Sequence, residues 1–165
     1  MKRILMLVAA LAFVLALAQP TAAQDLASIV GTWKMTGQMG KEVVSGKTDK
    51  NFGEQPTGHY IYTRGGNFVF FFVADNRKAP AGANPTDAER IALFRTLAGG
   101  SGTYKVDGGK LVYRYDTSWH QAWAGTERTA QAEITGKALT LTTAPFKSSL
   151  TGLDVVVITT WERVE

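Results

Sequence analysis

The sequence predicts an all-β protein, an eight-stranded antiparallel up-and-down barrel with one inserted helix. Apolar and polar residues alternate with a period of two through most of the chain after residue 28, as half-buried strands require. Glycine-containing turn signals at 64–66, 107–109 and 135–137 separate these segments at hairpin spacing. Closure of the sheet into a barrel would remove its exposed edges.

The predicted strands follow from this alternation and from the turns between them. They are residues 29–39, 59–63, 67–74, 103–106, 110–117, 126–134, 138–143 and 154–164. The polar, glycine-rich segment 41–57 is predicted to be a loop or a weak strand.

The two ends of the predicted domain carry residues suited to close the barrel. The first strand opens with Gly31-Thr32-Trp33, and the last contains Trp161 and Arg163, which lie two apart and so share a face. We expect these two strands to pair and the guanidinium of Arg163 to lie over the indole of Trp33. Such a stack, together with Trp161, would seal one end of the barrel and leave room for a cavity above it.

The first 23 residues are predicted to be a signal peptide. Lys2 and Arg3 precede an apolar run at 4–18, and residues 19–23 supply a breaker and small side chains for cleavage after Ala23. Cleavage would leave residues 24–165 as one domain, periplasmic or secreted, without stable membrane insertion. An uncleaved N-terminal anchor is the alternative.

Composition restricts the chemistry that this chain can perform. Cysteine is absent, which excludes disulfides, thiolate metal sites and cysteine nucleophiles. The net charge of +4 would fall to +2 on cleavage, and the remaining Lys and Arg are scattered, so we expect no nucleic-acid partner. The only two histidines, His59 and His120, are far apart, so we expect no metal. We also expect no other cofactor.

One helix is predicted, beginning after a capping box. Thr86 is the expected N-cap, Glu89 lies three residues on, and Gly99-Gly100 is the expected stop. Ile91, Phe94, Arg95 and 97–98 would share a face at helical spacing. Because residues 68–73 are apolar on both faces of their strand, we expect this helix to lie across the barrel as a structural cover for the outer face.

Aromatic residues provide the strongest indication of a ligand site. They alternate in three strands, and the segment 119–123 brings two indoles, an imidazole and an amide together. Inward tyrosines favour a partly polar cavity. Arg77 and Arg114 are candidates to meet a polar head group. The ligand-binding candidates are Tyr62, Phe70, Phe72, Arg77, Tyr113, Tyr115, Trp119, His120 and Trp123.

A catalytic role is the alternative use of the same cavity. His120 would act as a general acid–base if Asp116 or Glu127 lay beside it, with a tyrosine hydroxyl stabilising developing negative charge. These residues would make a cofactor-free isomerase, cyclase or hydrolase.

Six segments in order resemble the lipocalin-like domain family of bacterial and fungal proteins. The segments are 30–33 (VGTW), 52–63 (which contains FGEQPTG and YIYT), 102–107 (GTYKVD), 123–127 (WAGTE), 139–143 (LTLTT) and 160–163 (TWER). The resemblance implies an eight-stranded barrel. Relatives often carry histidine in the strand equivalent to 110–117, where this chain has Tyr113, Arg114 and Tyr115, and this departure weakens an acid–base role.

Three functions are therefore compatible with the sequence. The favoured one is an exported protein that binds a small hydrophobic or amphipathic molecule in the barrel cavity. The others are the cofactor-free enzyme and an envelope accessory protein whose barrel is solid. The sequence leaves open the ligand, the oligomeric state and whether the helix acts as a lid.

Overall fold

A computed structural model of the chain describes residues 26–165, so the predicted signal peptide lies outside the described residues. Eight long antiparallel strands form the barrel, and two short strands extend it at one end. The long strands are β1 (Gly31–Glu42), β3 (Thr57–Tyr62), β4 (Asn67–Val73), β5 (Leu97–Asp107), β6 (Lys110–Ser118), β7 (Glu127–Thr135), β8 (Ala138–Thr143) and β10 (Asp154–Arg163). The short strands are β2 (Thr48–Asp49) and β9 (Phe146–Lys147).

The barrel closes through its first and last long strands. Neighbouring strands pair in the order β1-β3-β4-β5-β6-β7-β8-β10, and β10 returns to pair with β1 from Trp33↔Arg163 to Glu42↔Val155. This arrangement confirms the predicted eight-stranded up-and-down barrel. Short β2 pairs with the end of β1 within the segment predicted as a loop or weak strand.

One end of the barrel is a closed, tightly packed region, which we call the floor half. A short 3-10 helix (Leu26–Ile29) crosses this end, where Ile29 and Trp33 are fully buried. The Trp33 indole donates to the Ile29 carbonyl oxygen at 2.8 Å. Arg163 lies with its guanidinium carbon 4.1 Å from the Trp33 ring centroid and donates to the carbonyl oxygens of Val30 and Ser28. A partly buried cation over an indole stabilises this end.

Aromatic side chains fill much of the barrel interior because three strands alternate in phase. The buried members of β3, β4 and β6 face inward and form a continuous set of ring contacts: Tyr60, Tyr62, Phe68, Phe70, Phe72, Tyr113 and Tyr115. Aromatic pairs in offset or edge-to-face geometry add to the free energy of apolar burial. The alternate aromatic residues seen in the sequence of these strands are thus the residues that face the core.

The predicted C-terminal part of the helix is wrong. Helix α1 spans Asp87–Arg95 with the expected capping box between Thr86 and Glu89, but 97–102 belongs to β5. The glycines there are strand positions that neighbouring groups approach closely. A Cβ on Gly100 would lie 3.0 Å from the Tyr115 ring, and one on Gly102 would lie 2.0 Å from the Arg114 carbonyl oxygen. Glycine therefore permits close strand packing here.

The predicted position of the helix, across the outer face of the Phe-rich strand, is also wrong. Val69 and Phe71 on the outer face of β4 stay 45% and 55% exposed, and no residue of α1 is buried. The helix lies instead at the rim, where the Phe94 ring contacts Trp119 at a centroid distance of 5.1 Å. The Phe71 ring lies over Gly99 of β5, so the ring covers the part of the outer face where the glycine has no side chain.

None of the helices in residues 26–165 has the length and apolar character needed to cross a membrane.

Candidate functional site

A cavity opens at the end of the barrel opposite the floor, which we call the open half. Its volume is about 170 Å³, and most of its surface is apolar. Strand ends and loops of the rim surround its mouth, including the exposed Arg95 of α1. Its inner walls are Phe52, Tyr60, Phe70, Phe72, Ala98, Tyr113, Tyr115, Trp119, Trp123, Ala130, Leu141 and Trp161. An apolar pocket with a few polar groups is the usual form of a small-molecule site.

Small side chains create this space among large ones. Ala98 on β5 and Ala130 on β7 point inward at positions where β3, β4 and β6 present aromatic rings. Gly40 on β1 also faces the cavity, with the Asp49 carboxylate of β2 directly above it. A Cβ at this glycine would lie 2.9 Å from Asp49 Oδ1. The interior is consequently full near the floor and hollow above it.

A second opening, which we call the side notch, adjoins the cavity between the start of β7 and the end of β8. The two strands pair from Thr135↔Ala138 to Ala130↔Thr143, and one more backbone hydrogen bond, from the Ala144 N–H to the Thr129 carbonyl oxygen at 3.0 Å, ends their pairing. The notch has a volume of about 340 Å³ and includes 126–130 and 143–146 in its lining. Six residues line both spaces, so the two adjoin each other: Tyr113, Tyr115, Trp123, Ala130, Thr143 and Phe146.

Arg128 is the cationic residue of the side notch. Its guanidinium carbon lies 4.2 Å from the Trp123 ring centroid and 5.4 Å from that of Phe146. The two rings contact each other edge to face at 5.6 Å. Burial lowers the pKa of Arg128, while the nearby Tyr115 hydroxyl opposes that shift. The aromatic rings therefore fix a partly desolvated positive charge beside the cavity.

Tyrosine hydroxyls form a neutral polar group where the cavity meets the floor half. The hydroxyls of Tyr62 and Tyr113 are 2.6 Å apart and buried. Burial raises the pKa of Tyr60 and Tyr62 well above the ordinary value, and the nearby Tyr113 raises the pKa of both further. Burial likewise raises the pKa of Tyr113 and Tyr115. These four side chains therefore stay uncharged at neutral pH and act as hydrogen-bonding groups.

Buried polar atoms without a hydrogen-bond partner are concentrated in the open half. All six side-chain atoms of this kind in residues 26–165 lie toward that end of the barrel, where Gln38 belongs to the second half of β1 and the others belong to loops, to β2 or to the start of β7. Four of these residues line the cavity or the notch. The atoms are Gln38 Oε1, Asp49 Oδ1, Arg77 Nε, Trp119 Nε1, His120 Nδ1 and Arg128 Nε. Such groups cost free energy when nothing pairs with them, so their clustering indicates a place where a ligand or water can do so.

The structure brings most of the sequence-predicted ligand residues to one cavity. Six of them line it: Phe70, Phe72, Tyr113, Tyr115, Trp119 and Trp123. Tyr62 lies below them in the floor half, where it is 1% exposed. Arg77 lies in the loop after β4 and donates to the Leu93 carbonyl oxygen of α1 at 3.4 Å. Arg114 is exposed on the outer face of β6.

The proposed catalytic residues are placed differently. His120 stacks on Trp123 at a centroid distance of 5.9 Å and contacts Trp119 edge to face, but it is not among the residues that line the cavity or the notch. Asp116 and Glu127 are exposed. Within residues 26–165, no hydrogen bond or ion pair joins His120 to either carboxylate. In the same part of the chain, no group of three or more His, Cys, Asp or Glu residues could hold a metal ion.

Sequence reasoning missed Arg128, Gln38 and the role of Trp161 as a cavity wall. Arg128 lies on the same face of its strand as the buried Ala130 and Ala132, because side chains two residues apart point the same way. The sequence alone could therefore have predicted an inward-facing arginine. The inward position of Gln38 was not predicted because β1 contains an irregularity between Met35 and Gly37 that changes which residues face inward. Its 7% exposure could not be derived from simple alternation.

The strands and the cavity define a small closed antiparallel β-barrel that is hollow at one end. The chain matches the lipocalin-like domain family over residues 30–164, which is nearly the whole of the described chain, and it belongs to that family. No curated protein matches its sequence.

Solved structures with a similar arrangement are distant in sequence. A lipocalin-like protein from Bacteroides uniformis has a TM-score of 0.41 and 14% identity, covering 81% of this chain and 96% of its own. An uncharacterized protein from Bacteroides eggerthii has a TM-score of 0.38 and 14% identity, covering 81% and 98%. Fatty-acid-binding protein 1 from Echinococcus granulosus has a TM-score of 0.39 and 14% identity, covering 84% and 99%.

Proposed function

We propose that the protein is an exported binder of a small hydrophobic or amphipathic molecule, held in the open half of the barrel. The observation that carries this proposal is the apolar cavity of about 170 Å³ above a closed floor. Burial of a ligand's apolar surface there would supply roughly 25 cal/mol per Å², less the cost of ordering the ligand. The rings that form the walls are held by one another, so the site is largely preformed.

Amphipathic ligands fit because the cavity combines apolar walls with unpartnered polar atoms. Gln38 Oε1 and Asp49 Oδ1 are acceptors on the β1–β2 side, and Trp119 Nε1 is a donor on the rim after β6. These groups would orient a bound molecule by hydrogen bonds, which contribute more to specificity than to affinity. In a barrel with a solid core, such unpartnered groups would lower stability without any ligand to form hydrogen bonds with them.

Binding is testable with the neutral fluorescent probe N-phenyl-1-naphthylamine. We expect saturable fluorescence enhancement with the wild-type protein. Ala130→Met should weaken probe binding by about tenfold or more, because the longer side chain enters the cavity from a 5% exposed inward position. Gln131→Met on the outer face of the same strand is the matched control and should bind as the wild type does. Absence of saturable binding to the wild type, or unchanged binding to Ala130→Met, would contradict the proposal.

Export rests on residues 1–23 and is tested separately. The full chain would be expressed in a Gram-negative host, and the intact mass of the protein in the periplasmic fraction would be measured. We expect a chain that begins at Gln24. Native mass spectrometry of the same sample would reveal a bound molecule that leaves on denaturation. Recovery of the 165-residue chain from the membrane fraction would contradict cleavage and favour an N-terminal anchor.

A further inference from the structure

Arg128 is an inward-facing charge in an otherwise apolar part of the barrel. On β7 it shares its face with the buried Ala130 and Ala132, and its Cα is paired with that of the inward-facing Tyr113 of β6. An arginine on the inner face of a small barrel loses much of its hydration. The placement therefore has a free-energy cost that some interaction has to offset.

The groups around Arg128 only partly offset that cost. The Trp123 and Phe146 rings contact the flat guanidinium at 4.2 and 5.4 Å, which stabilises the charge but uses none of its N–H donors. Its Nε is buried and has no hydrogen-bond partner. The stack holds the guanidinium in place while leaving the donor edge free.

A protein carboxylate does not complete the site. Residues 26–165 contain three side-chain ion pairs, and Arg128 belongs to none of them: they are Lys50–Glu54, Arg90–Asp87 and Lys147–Asp154. Glu127 lines the notch but is exposed, and its Cα pairs in register with that of Arg114 on β6. A fixed, partly desolvated guanidinium with free donors is the usual protein partner of a planar acid group.

The side notch adjoins the apolar cavity, because side chains such as Tyr115 and Trp123 border both spaces. We propose that Arg128 binds the carboxylate of an apolar carboxylic acid whose hydrocarbon part fills the main cavity. This inference rests on the proposed function and adds the ligand's acid group and the residue that recognises it. Tyr115, whose side chain also borders both spaces, would donate a second hydrogen bond to the carboxylate from its hydroxyl.

Competition between two matched probes tests the proposal. Decanoate and 1-decanol have the same chain length and differ in the charged head, and each would be used to displace N-phenyl-1-naphthylamine from the wild type and from variants. We expect decanoate to bind at least tenfold more tightly than 1-decanol to the wild type. Arg128→Gln should lose at least tenfold in decanoate affinity while 1-decanol affinity stays within twofold.

Two further variants keep this test decisive. Arg64→Gln removes a positive charge from the β3–β4 turn at the floor end and should bind both probes as the wild type does. Arg128→Lys keeps the charge but not the planar fork, so it should show an intermediate loss for decanoate, and it carries the test if Arg128→Gln fails to give a cooperative thermal transition.

The outcomes separate this inference from the broader function. Equal affinity of the wild type for both probes, or unchanged decanoate affinity in the Arg128 variants, would overturn the acid site while leaving ligand binding intact. Failure of the wild type to bind the fluorescent probe or either competitor would overturn both proposals.

Discussion

The two halves of this barrel are built from the same strands but satisfy different requirements. In the floor half, Ile29, Trp33, Leu111 and Leu139 are fully buried. The buried polar side chains there are also paired, as the Trp33 indole is with the Ile29 carbonyl oxygen. The open half has a cavity of about 170 Å³ and every unpartnered buried side-chain polar atom found in residues 26–165. Tight packing and open space are therefore separated along the barrel axis.

Free-energy magnitudes explain why such a separation is useful. Each buried polar group without a partner costs about 1–3 kcal/mol, and a domain of this size has a net stability of only about 5–15 kcal/mol. Several such groups can be tolerated only when the remainder of the core is well packed. The floor, with its Trp33–Arg163 stack at 4.1 Å, provides that packing.

The largest expected effect compares two leucines on one strand. Leu139 and Leu141 lie two residues apart on the inner face of β8, the first in the floor and the second in the cavity wall. We expect Leu139→Ala to lower the free energy of unfolding by about 3 kcal/mol and Leu141→Ala by about 2 kcal/mol, because Leu141 already borders empty space and loses fewer contacts. Urea unfolding followed by Trp fluorescence measures both.

The binding assay reverses that order. Leu141→Ala should change the affinity for N-phenyl-1-naphthylamine, since it alters the cavity wall, whereas folded Leu139→Ala should bind as the wild type does. Equal destabilisation by the two substitutions, together with equal effects on binding, would show that the halves are not distinct.

Strand alternation and the end motifs were sufficient to predict the barrel. The inward phase of Tyr60, Phe70 and Tyr113 follows from a period of two, and three hairpin turns contain glycine at positive φ, such as Gly66, Gly108 and Gly136. Pairing of Trp33 with Arg163 could be anticipated because a Gly-x-Trp strand and a Trp-x-Arg strand lie at the two ends of the domain. These signals are local or involve the chain ends.

The first part of β5 could not be predicted by local reasoning. Residues 97–102 read as the end of a helix followed by a glycine stop, since glycine commonly follows helices. Their strand conformation depends on β4 and β6, which approach the glycines on both sides and require that no side chain be present. Tertiary packing here overrides the local propensity.

The candidate site was predictable in its aromatic walls but not in its polar groups. Trp119 and Trp123 are conspicuous in the sequence, and both line the cavity. The environment of Arg128 depends on Phe146, which reaches the notch only because the chain leaves β8 after Thr143 and turns into β9. No spacing in the sequence brings these two residues together.

The smallest expected effect concerns Gln38, the most deeply buried of the unpartnered side chains that line the cavity. Gln38→Met removes the amide and keeps the side-chain length, so we expect the ligand-free protein to gain about 1 kcal/mol in its free energy of unfolding. Gln131→Met, the same change at an exposed position, should alter it by less than about 0.5 kcal/mol. A loss of stability in Gln38→Met would mean that ordered water already forms hydrogen bonds with the amide. The polar side chains of the open half would then have solvent as their partner. A gain would mean that the protein retains this amide at the expense of stability, as expected for a group whose partner is the ligand.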